Sequence, residues 1–209
     1  MLHKETIDQP TLELLKKLQQ KKYLKDFFLV GGTALALLYG HRKSVDIDLF
    51  SNFSFDTERL LENLSSDFQF QLFFSAENTI KGSINGTQVD IIAHRYPLIR
   101  KPVKEEGISI LAVEDIAAMK LNAIAVSGQR VKDFIDIYYL LDYFSLHELI
   151  SFYKEKYTRF NEVNVLKSIT WFNDVALEDW PVILKDKEIN WDEVKNRIIK
   201  ETEIYLEQL

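Results

Sequence analysis

The segment Val45-Asp46-Ile47-Asp48-Leu49-Phe50 places acidic and apolar residues in strict alternation. A period of two is typical of a β-strand, so the pattern predicts a strand whose two faces differ. Asp46 and Asp48 would project from one face, about 7 Å apart, while Ile47 and Leu49 would face the core. Two neighbouring carboxylates repel each other unless a cation or basic groups compensate. The alternative is an edge strand whose polar face is simply hydrated.

A further acidic residue interrupts an apolar run later in the chain. Asp90 lies within Thr87–Ala93, which Asn85-Gly86 separates from Thr79–Ile84, and this arrangement predicts a two-residue hairpin. If the Asp90 strand neighbours the first strand, three carboxylates converge at one point. Such a cluster suits Mg²⁺ or Mn²⁺, and two such ions can clamp the oxygens of a phosphoryl or nucleotidyl transfer. If the two strands are not neighbours, Asp90 is an ordinary acidic residue at the end of a strand.

Gly31-Gly32-Thr33 lies between the apolar run Phe27–Val30 and a second apolar run, Thr33–Tyr39, that ends at Gly40. The pattern predicts a strand, a glycine turn and a helix. Glycine lets the backbone approach a ligand closely, and the N–H groups at a helix start attract anions. A phosphate-binding turn is therefore one interpretation, and a plain connection is the other. The lysine of a P-loop is missing.

Composition excludes several classes of protein. The 209 residues include no cysteine, so a disulfide framework and a cysteine-ligated metal site are excluded. No apolar run approaches the roughly 20 residues needed to cross a bilayer, and Met1–Thr6 shows no signal sequence. We therefore expect a cytoplasmic globular protein with no membrane partner. The net charge of −6 argues against a nucleic-acid partner, but the 10 acids and 5 bases of residues 174–209 account for most of it.

The chain changes character near residue 110. Strand-like alternation dominates before that point, and helical periodicity predicts helices at 113–126, 132–143, 146–157, 161–172 and 191–208. We therefore expect an α+β fold, in which residues 1–110 form a mixed sheet with an N-terminal helix and residues 111–209 form a helical region. No serine–histidine or cysteine nucleophile and no GxGxxG motif can be assembled, which excludes hydrolase and dinucleotide-binding functions.

Four stretches together resemble the AbiEii/AbiGii family of nucleotidyltransferase toxins, which act in type IV toxin–antitoxin systems and belong to the polymerase-beta-like superfamily. The stretches are Leu29–Leu37, His41–Phe50, Leu111–Ala123 and Arg130–Leu141. The resemblance implies a polymerase-beta-like mixed sheet whose active site is completed by the helical half. It also implies Mg²⁺- or Mn²⁺-dependent transfer of a nucleoside monophosphate from an NTP to an acceptor hydroxyl. An RNA acceptor, with a tRNA 3′ end as the specific candidate, and an antitoxin encoded nearby follow from the same resemblance.

The resemblance also implies roles for single residues. Asp46 and Asp48 would bind the metal, and Asp90 would be a third ligand or a base. An acid of the stretch Lys132-Asp133-x-x-Asp136 would complete the catalytic set. A further group of residues is expected to hold the nucleotide, some because of the resemblance and some because they lie beside the acidic strand. They are Gly31, Gly32, Thr33, Arg42, Ser44, Lys120 and Lys132.

Several alternatives stay open from the sequence. Lys120 shares a helical face with core residues, where a lysine can also extend outward to solvent. Lys132 and Asp136 can form an ordinary i,i+4 surface pair, so Asp133 is the better candidate for the site. At the level of function, the acceptor can be a protein or a small molecule such as an antibiotic. The chain can also be an inactive binding module of the same fold.

Overall fold

The computed structural model describes residues 1–158, 161–185 and 189–208. Within this part of the chain, one mixed sheet is built in the order β3-β4-β5-β2-β1-β7-β6. Its strands are β1 (Phe28–Leu29), β2 (Ile47–Ser51), β3 (Phe70–Ala76), β4 (Thr79–Ile84), β5 (Thr87–Ala93), β6 (Val103–Glu105) and β7 (Ile108–Ile110).

In the sequence, helices precede these strands, lie between them and follow them. They are α1 (Gln9–Gln19), α2 (Gly31–Tyr39), α3 (Thr57–Asp67), α4 (Val113–Val126), α5 (Val131–Leu140), α6 (Leu146–Lys156), α7 (Glu162–Ile169) and α8 (Trp191–Glu207). The expected α+β fold is confirmed. One hydrophobic core runs from the N-terminal helix to the last helix, and the division at residue 110 into two functional regions stays a prediction.

The centre of the sheet brings the acidic strands together. β2 runs parallel to β5, and Asp48 lies directly opposite Asp90. The Asn85-Gly86 hairpin joins β4 to β5 as predicted, with φ of 51° and 85° at its two residues, values that a type I′ turn requires. The two strands predicted to be neighbours are therefore neighbours.

Several predicted boundaries shift by a few residues. The acidic strand begins at Ile47 rather than at position 45, because the parallel ladder with β5 starts there and Asp46 has no strand partner. The helix α2 begins at Gly31, so the glycine turn is its first turn. The sequence did not predict β6, whose exposed polar residues lack a strand pattern.

Candidate active site

A cavity of about 570 Å³ opens over the acidic ends of the central strands, a volume within the range of small-molecule sites. Its walls come from the start of α2, from β2 and β5, from α4, and from the start of α5. Predicted site residues that line it are Gly31, Gly32, Thr33, Arg42, Ser44, Asp46, Asp48, Asp90, Lys120, Lys132 and Asp133. Residues far apart in the chain thus share one surface.

The three strand carboxylates line this cavity, but they differ in their partners. Asp90 pairs with Lys81 of β4, whose Nζ lies 2.9 Å from Oδ2. Asp48 stands opposite Asp90 in the parallel ladder, and Asp46 lies just ahead of β2. Among the described residues, no three acidic or histidine side chains come together as a ready-made metal cage.

Loss of hydration and the neighbouring Asp90 carboxylate raise the pKa of Asp48 to about 6. Lys120 opposes this shift without cancelling it. The surroundings of Asp48 therefore disfavour its ionised form, and a cation bound beside its carboxylate would favour that form. Mg²⁺ is commonly held by one or two carboxylates, with waters and substrate phosphates completing its shell. The donor set of Asp46 and Asp48 fits such an ion.

The glycine turn is in close contact with the Asp48 carboxylate. Gly31 has φ of 70°, and a Cβ at this position would lie 2.5 Å from Asp48 Oδ2. A Cβ at Gly32 would in turn overlap the Arg42 guanidinium. Thr33 lies beneath the turn, where its hydroxyl donates to the Asp46 carbonyl at 2.5 Å and lies 2.8 Å from Ser44 Oγ. The turn and Thr33 thus fix the position of the acidic residues.

We expect Gly31→Ala to lower kcat/KM about 100-fold, because the added Cβ would displace the Asp48 carboxylate and misplaced groups of this kind cost activity steeply. The matched control is Gly86→Ala. Gly86 has φ of 85° but no heavy atom within 4 Å of an added Cβ. Both variants carry the same backbone strain, so equal activities, measured as label transfer from an NTP, would contradict the proposed contact.

The Lys120 ammonium is buried and lies between two carboxylates of α5. Its Nζ is 2.6 Å from Asp133 Oδ1 and 2.7 Å from Asp136 Oδ2. Burial lowers its pKa, but the two carboxylates outweigh this effect and raise the pKa above its usual value. Lys120 is therefore a fixed positive charge at the cavity wall, and the alternative that it merely extends to solvent is wrong.

Asp136 lies beneath the cavity in a buried network of ion pairs. Arg42 donates from Nε and Nη2 at 2.7 and 2.9 Å, and His41 Nε2 lies 2.8 Å from the same carboxylate. Although burial raises the pKa of Asp136, Arg42 and Lys120 hold it well below its usual value. The interpretation of Asp136 as an ordinary surface partner of Lys132 is therefore wrong.

This network gives Arg42 a structural role. Its side chain is 3% exposed, and its guanidinium is engaged by Asp136 and by the Lys43 carbonyl. Arg42 therefore joins the loop ahead of β2 to α5 at the wall of the cavity. A direct contact with phosphate stays a prediction for Arg42, as it does for Ser44 and Lys132.

Sequence reasoning missed several residues of the cavity. Lys81 appears in the sequence as one lysine of a hairpin strand, and only the register of β4 with β5 places it opposite Asp90. The segment 178–182 lines the cavity as well, and it is joined to the loop ahead of β2 through the Lys43 N–H, which donates to the Val182 carbonyl at 2.8 Å. Both depend on contacts between distant parts of the chain.

Comparison with known proteins identifies the family of this chain. A sequence model of the family described as nucleotidyl transferase AbiEii toxin, type IV TA system, matches residues 13–207. The chain belongs to the AbiEii family. It is therefore a nucleotidyltransferase of a toxin–antitoxin family, and the resemblance of the four stretches is confirmed.

Individual relatives of this AbiEii chain agree with the assignment of fold. An uncharacterized protein of Aquifex aeolicus strain VF5 is 33% identical over 204 residues, which cover 93% of this chain and 95% of the relative. A proposed nucleotidyltransferase from Helicobacter pylori superposes with a TM-score of 0.59 at 17% identity, covering 97% of both chains. JHP933, also from Helicobacter pylori, gives a TM-score of 0.56 at 17% identity, over 97% of this chain and 94% of that one.

In the part of the AbiEii chain that the structure describes, no helix is both long and apolar enough to span a bilayer.

Proposed function

We propose that this AbiEii chain transfers a nucleoside monophosphate from an NTP to a hydroxyl of RNA in a reaction that depends on Mg²⁺ or Mn²⁺. The observation that carries the proposal is that Asp46, Asp48 and Asp90 line one cavity, together with the Gly31-Gly32 turn and Lys120. An inactive binding module has no need to keep so many carboxylates at one cavity floor.

The metal ion is assigned to Asp46 and Asp48, and Asp90 is the proposed third ligand. When bound, the ion would offset charge on the triphosphate and lower the pKa of the attacking hydroxyl. The raised pKa of Asp48 supports this assignment, because burial and the neighbouring Asp90 carboxylate disfavour its ionised form more than Lys120 favours it. Because Asp90 is paired with Lys81, we expect it to bind the metal more weakly than Asp46 and Asp48 do.

The triphosphate is assigned to the end of the cavity formed by the start of α2 and the wall of α4 and α5. The first N–H groups of a helix have no partners within the helix and attract anions. Lys120 has three N–H donors, of which Asp133 and Asp136 take two, so one donor can reach a phosphate oxygen. Arg130 and Lys132 line the same end and add positive charge.

The acceptor is assigned to RNA, with a tRNA 3′ end as the specific candidate. Membership of a toxin–antitoxin family supports both a cellular macromolecule as target and a cognate antitoxin. Asp90 would accept the proton of the attacking hydroxyl if it is not a metal ligand. Transfer to a protein or to a small molecule is the competing assignment, and it predicts a different labelled product.

The experiment that separates these assignments supplies each NTP, labelled at the α-phosphate, to the purified protein with Mg²⁺ or Mn²⁺ and a cell extract. We expect a labelled product that ribonuclease destroys and protease does not. Fractionation should then place the label in tRNA, and a 3′-oxidised tRNA should not accept it.

The matched control is the Asp46→Asn/Asp48→Asn variant, which we expect to transfer no label. A protease-sensitive or dialysable product would contradict the RNA assignment while leaving nucleotidyl transfer intact. Equal labelling by the wild type and the variant, or no labelling with any NTP, would contradict the catalytic assignment itself.

A further inference from the structure

Three ring side chains form a cluster just beyond the carboxyl end of β5. The ring centroids of His94 and Tyr96 are 4.6 Å apart, and those of Tyr96 and Tyr157 are 4.7 Å apart. Tyr157 is buried at the end of α6, and its hydroxyl lies 3.1 Å from His94 Nε2. Tyr96 is 43% exposed. The cluster therefore has a packed inner side and an open outer side.

This cluster connects the catalytic cavity with the protein surface. His94 and Tyr157 line the cavity that contains Asp90. His94 also lines an open depression of about 590 Å³ that it shares with Arg95 and Tyr96. An RNA strand lying in the depression would thus contact the cluster before it reaches the carboxylates.

A buried ion pair fixes the loop that carries the cluster. Lys156 Nζ lies 2.7 Å from Asp115 Oδ1 and donates to the Pro97 carbonyl at 3.0 Å. The Asp115 carboxylate also accepts from the backbone N–H groups of Ile99 and Arg100. The loop after β5 is therefore held in one conformation although it lies at the surface, and a fixed platform binds a ligand with a smaller entropic cost.

The charges of this surface favour a polyanion. Arg95 is exposed, and its Nη1 contacts the Ser54 hydroxyl at 3.3 Å. Lys101 is exposed on the same loop. Burial, with a contribution from Lys156, lowers the pKa of His94 to about 4, so its ring is neutral at physiological pH. Neutral rings beside exposed cations are the combination with which proteins bind single-stranded nucleic acids.

We propose that Tyr96, held in place by His94 and Tyr157 and flanked by Arg95, is the platform on which a single-stranded 3′ end of the acceptor RNA stacks as it enters the active site. This inference rests on the proposed function, because it assigns the acceptor end of the same cavity. The triphosphate then occupies the opposite end, at the glycine turn, and the carboxylates lie between the two substrates.

The test measures binding of a short fluorescein-labelled single-stranded RNA with a free 3′ hydroxyl, without NTP, by fluorescence anisotropy. We expect Tyr96→Ala to raise Kd about 5- to 100-fold, the usual effect of removing one stacking ring. Tyr96→Phe keeps the ring and should bind like the wild type. Arg95→Glu should weaken binding and reduce its dependence on salt.

Two matched controls come from the same chain. Tyr143 is 49% exposed and does not line the cavity, and Arg59 is exposed on α3, so Tyr143→Ala and Arg59→Glu should leave Kd unchanged. In steady-state label transfer, Tyr96→Ala should raise KM for RNA, while kcat at saturating RNA and KM for the NTP stay near the wild-type values.

Unchanged RNA binding by Tyr96→Ala, or an equal loss in Tyr143→Ala, would overturn the platform. Equally tight binding of a blunt-ended RNA duplex would overturn it as well, because the 3′ nucleotides of a duplex are held in base pairs and cannot lie along the platform as a single strand. If single-stranded RNA binds through Tyr96 but no label is ever transferred, the platform stands and the proposed nucleotidyl transfer to RNA fails.

Discussion

Replacing Asp48 by asparagine should lower nucleotidyl transfer by about 10³-fold or more and should also stabilise the metal-free protein. The loss of activity follows from the proposed role of Asp48 as a metal ligand. The gain in stability follows from the raised pKa of this side chain, about 6, which means that folding opposes its ionisation. Asparagine has a similar shape and removes the charge.

The sign of the pH dependence follows from linkage. The pKa of the Asp48 carboxyl group is higher in the folded chain than in the unfolded chain. At every pH at which it is ionised in both states, such a group lowers the stability of the fold. Relative to Asp48→Asn, the wild type should be less stable above about pH 6. The difference should shrink as the pH falls through 6 and disappear below the ordinary carboxyl pKa of about 4.

Thermal unfolding in a chelator checks this prediction. At pH 8 we expect the Tm of Asp48→Asn to exceed that of the wild type by about 3–6 °C, and at pH 4 most of this difference should be gone. Adding Mg²⁺ should raise the Tm of the wild type and not that of the variant. Asp26→Asn, at an exposed acid, serves as the control. A lower Tm for Asp48→Asn at pH 8 would show that the carboxylate is not under electrostatic stress.

Asp136→Ala should destabilise the protein by about 3–5 kcal/mol, the usual cost of removing one partner from a buried ion pair. The substitution leaves Arg42 buried without the carboxylate that its Nε and Nη2 contact. Lys120 loses one of its two carboxylates, and His41 loses its hydrogen bond. Since the pKa of Asp136 lies well below its ordinary value, its contribution is complete above about pH 4 and is lost as the pH falls further.

Urea unfolding at neutral pH measures this cost. The control is Asp142→Ala, because Asp142 also accepts from two cations, Lys185 and Arg197, but lies near the surface. Surface ion pairs contribute about 1 kcal/mol or less, so the control should remain close to the wild type. Similar losses in the two variants would show that the network beneath the cavity has no special role in stability.

The acidic strands that line the cavity could be predicted from local sequence because their signals are local. The alternation around Asp46 and Asp48 marks a strand whose polar face needs an explanation, and Asn85-Gly86 fixes the hairpin that carries Asp90. Only the partnership of the two strands had to be assumed, and the parallel ladder confirms it.

The buried ion-pair network beneath the cavity could not be predicted in the same way. Asp136 is separated from His41 and Arg42 by more than 90 residues, and its spacing from Lys132 suggests an ordinary helical surface pair. Lys81 and the segment 178–182 reach the cavity only through sheet register and chain packing. Local periodicity contains no information on such contacts, and the family resemblance names motifs rather than their partners.

The most direct test of nucleotidyl transfer compares one NTP labelled at the α-phosphate with the same NTP labelled at the γ-phosphate, supplied to the purified protein with Mg²⁺ and total tRNA. We expect the α-label to enter the RNA and the γ-label to leave as pyrophosphate, with both reactions absent from Asp48→Asn. Entry of the γ-label into the RNA, or equal incorporation of the α-label by the wild type and Asp48→Asn, would contradict the assignment of Asp46 and Asp48 as the centre of a nucleotidyltransferase.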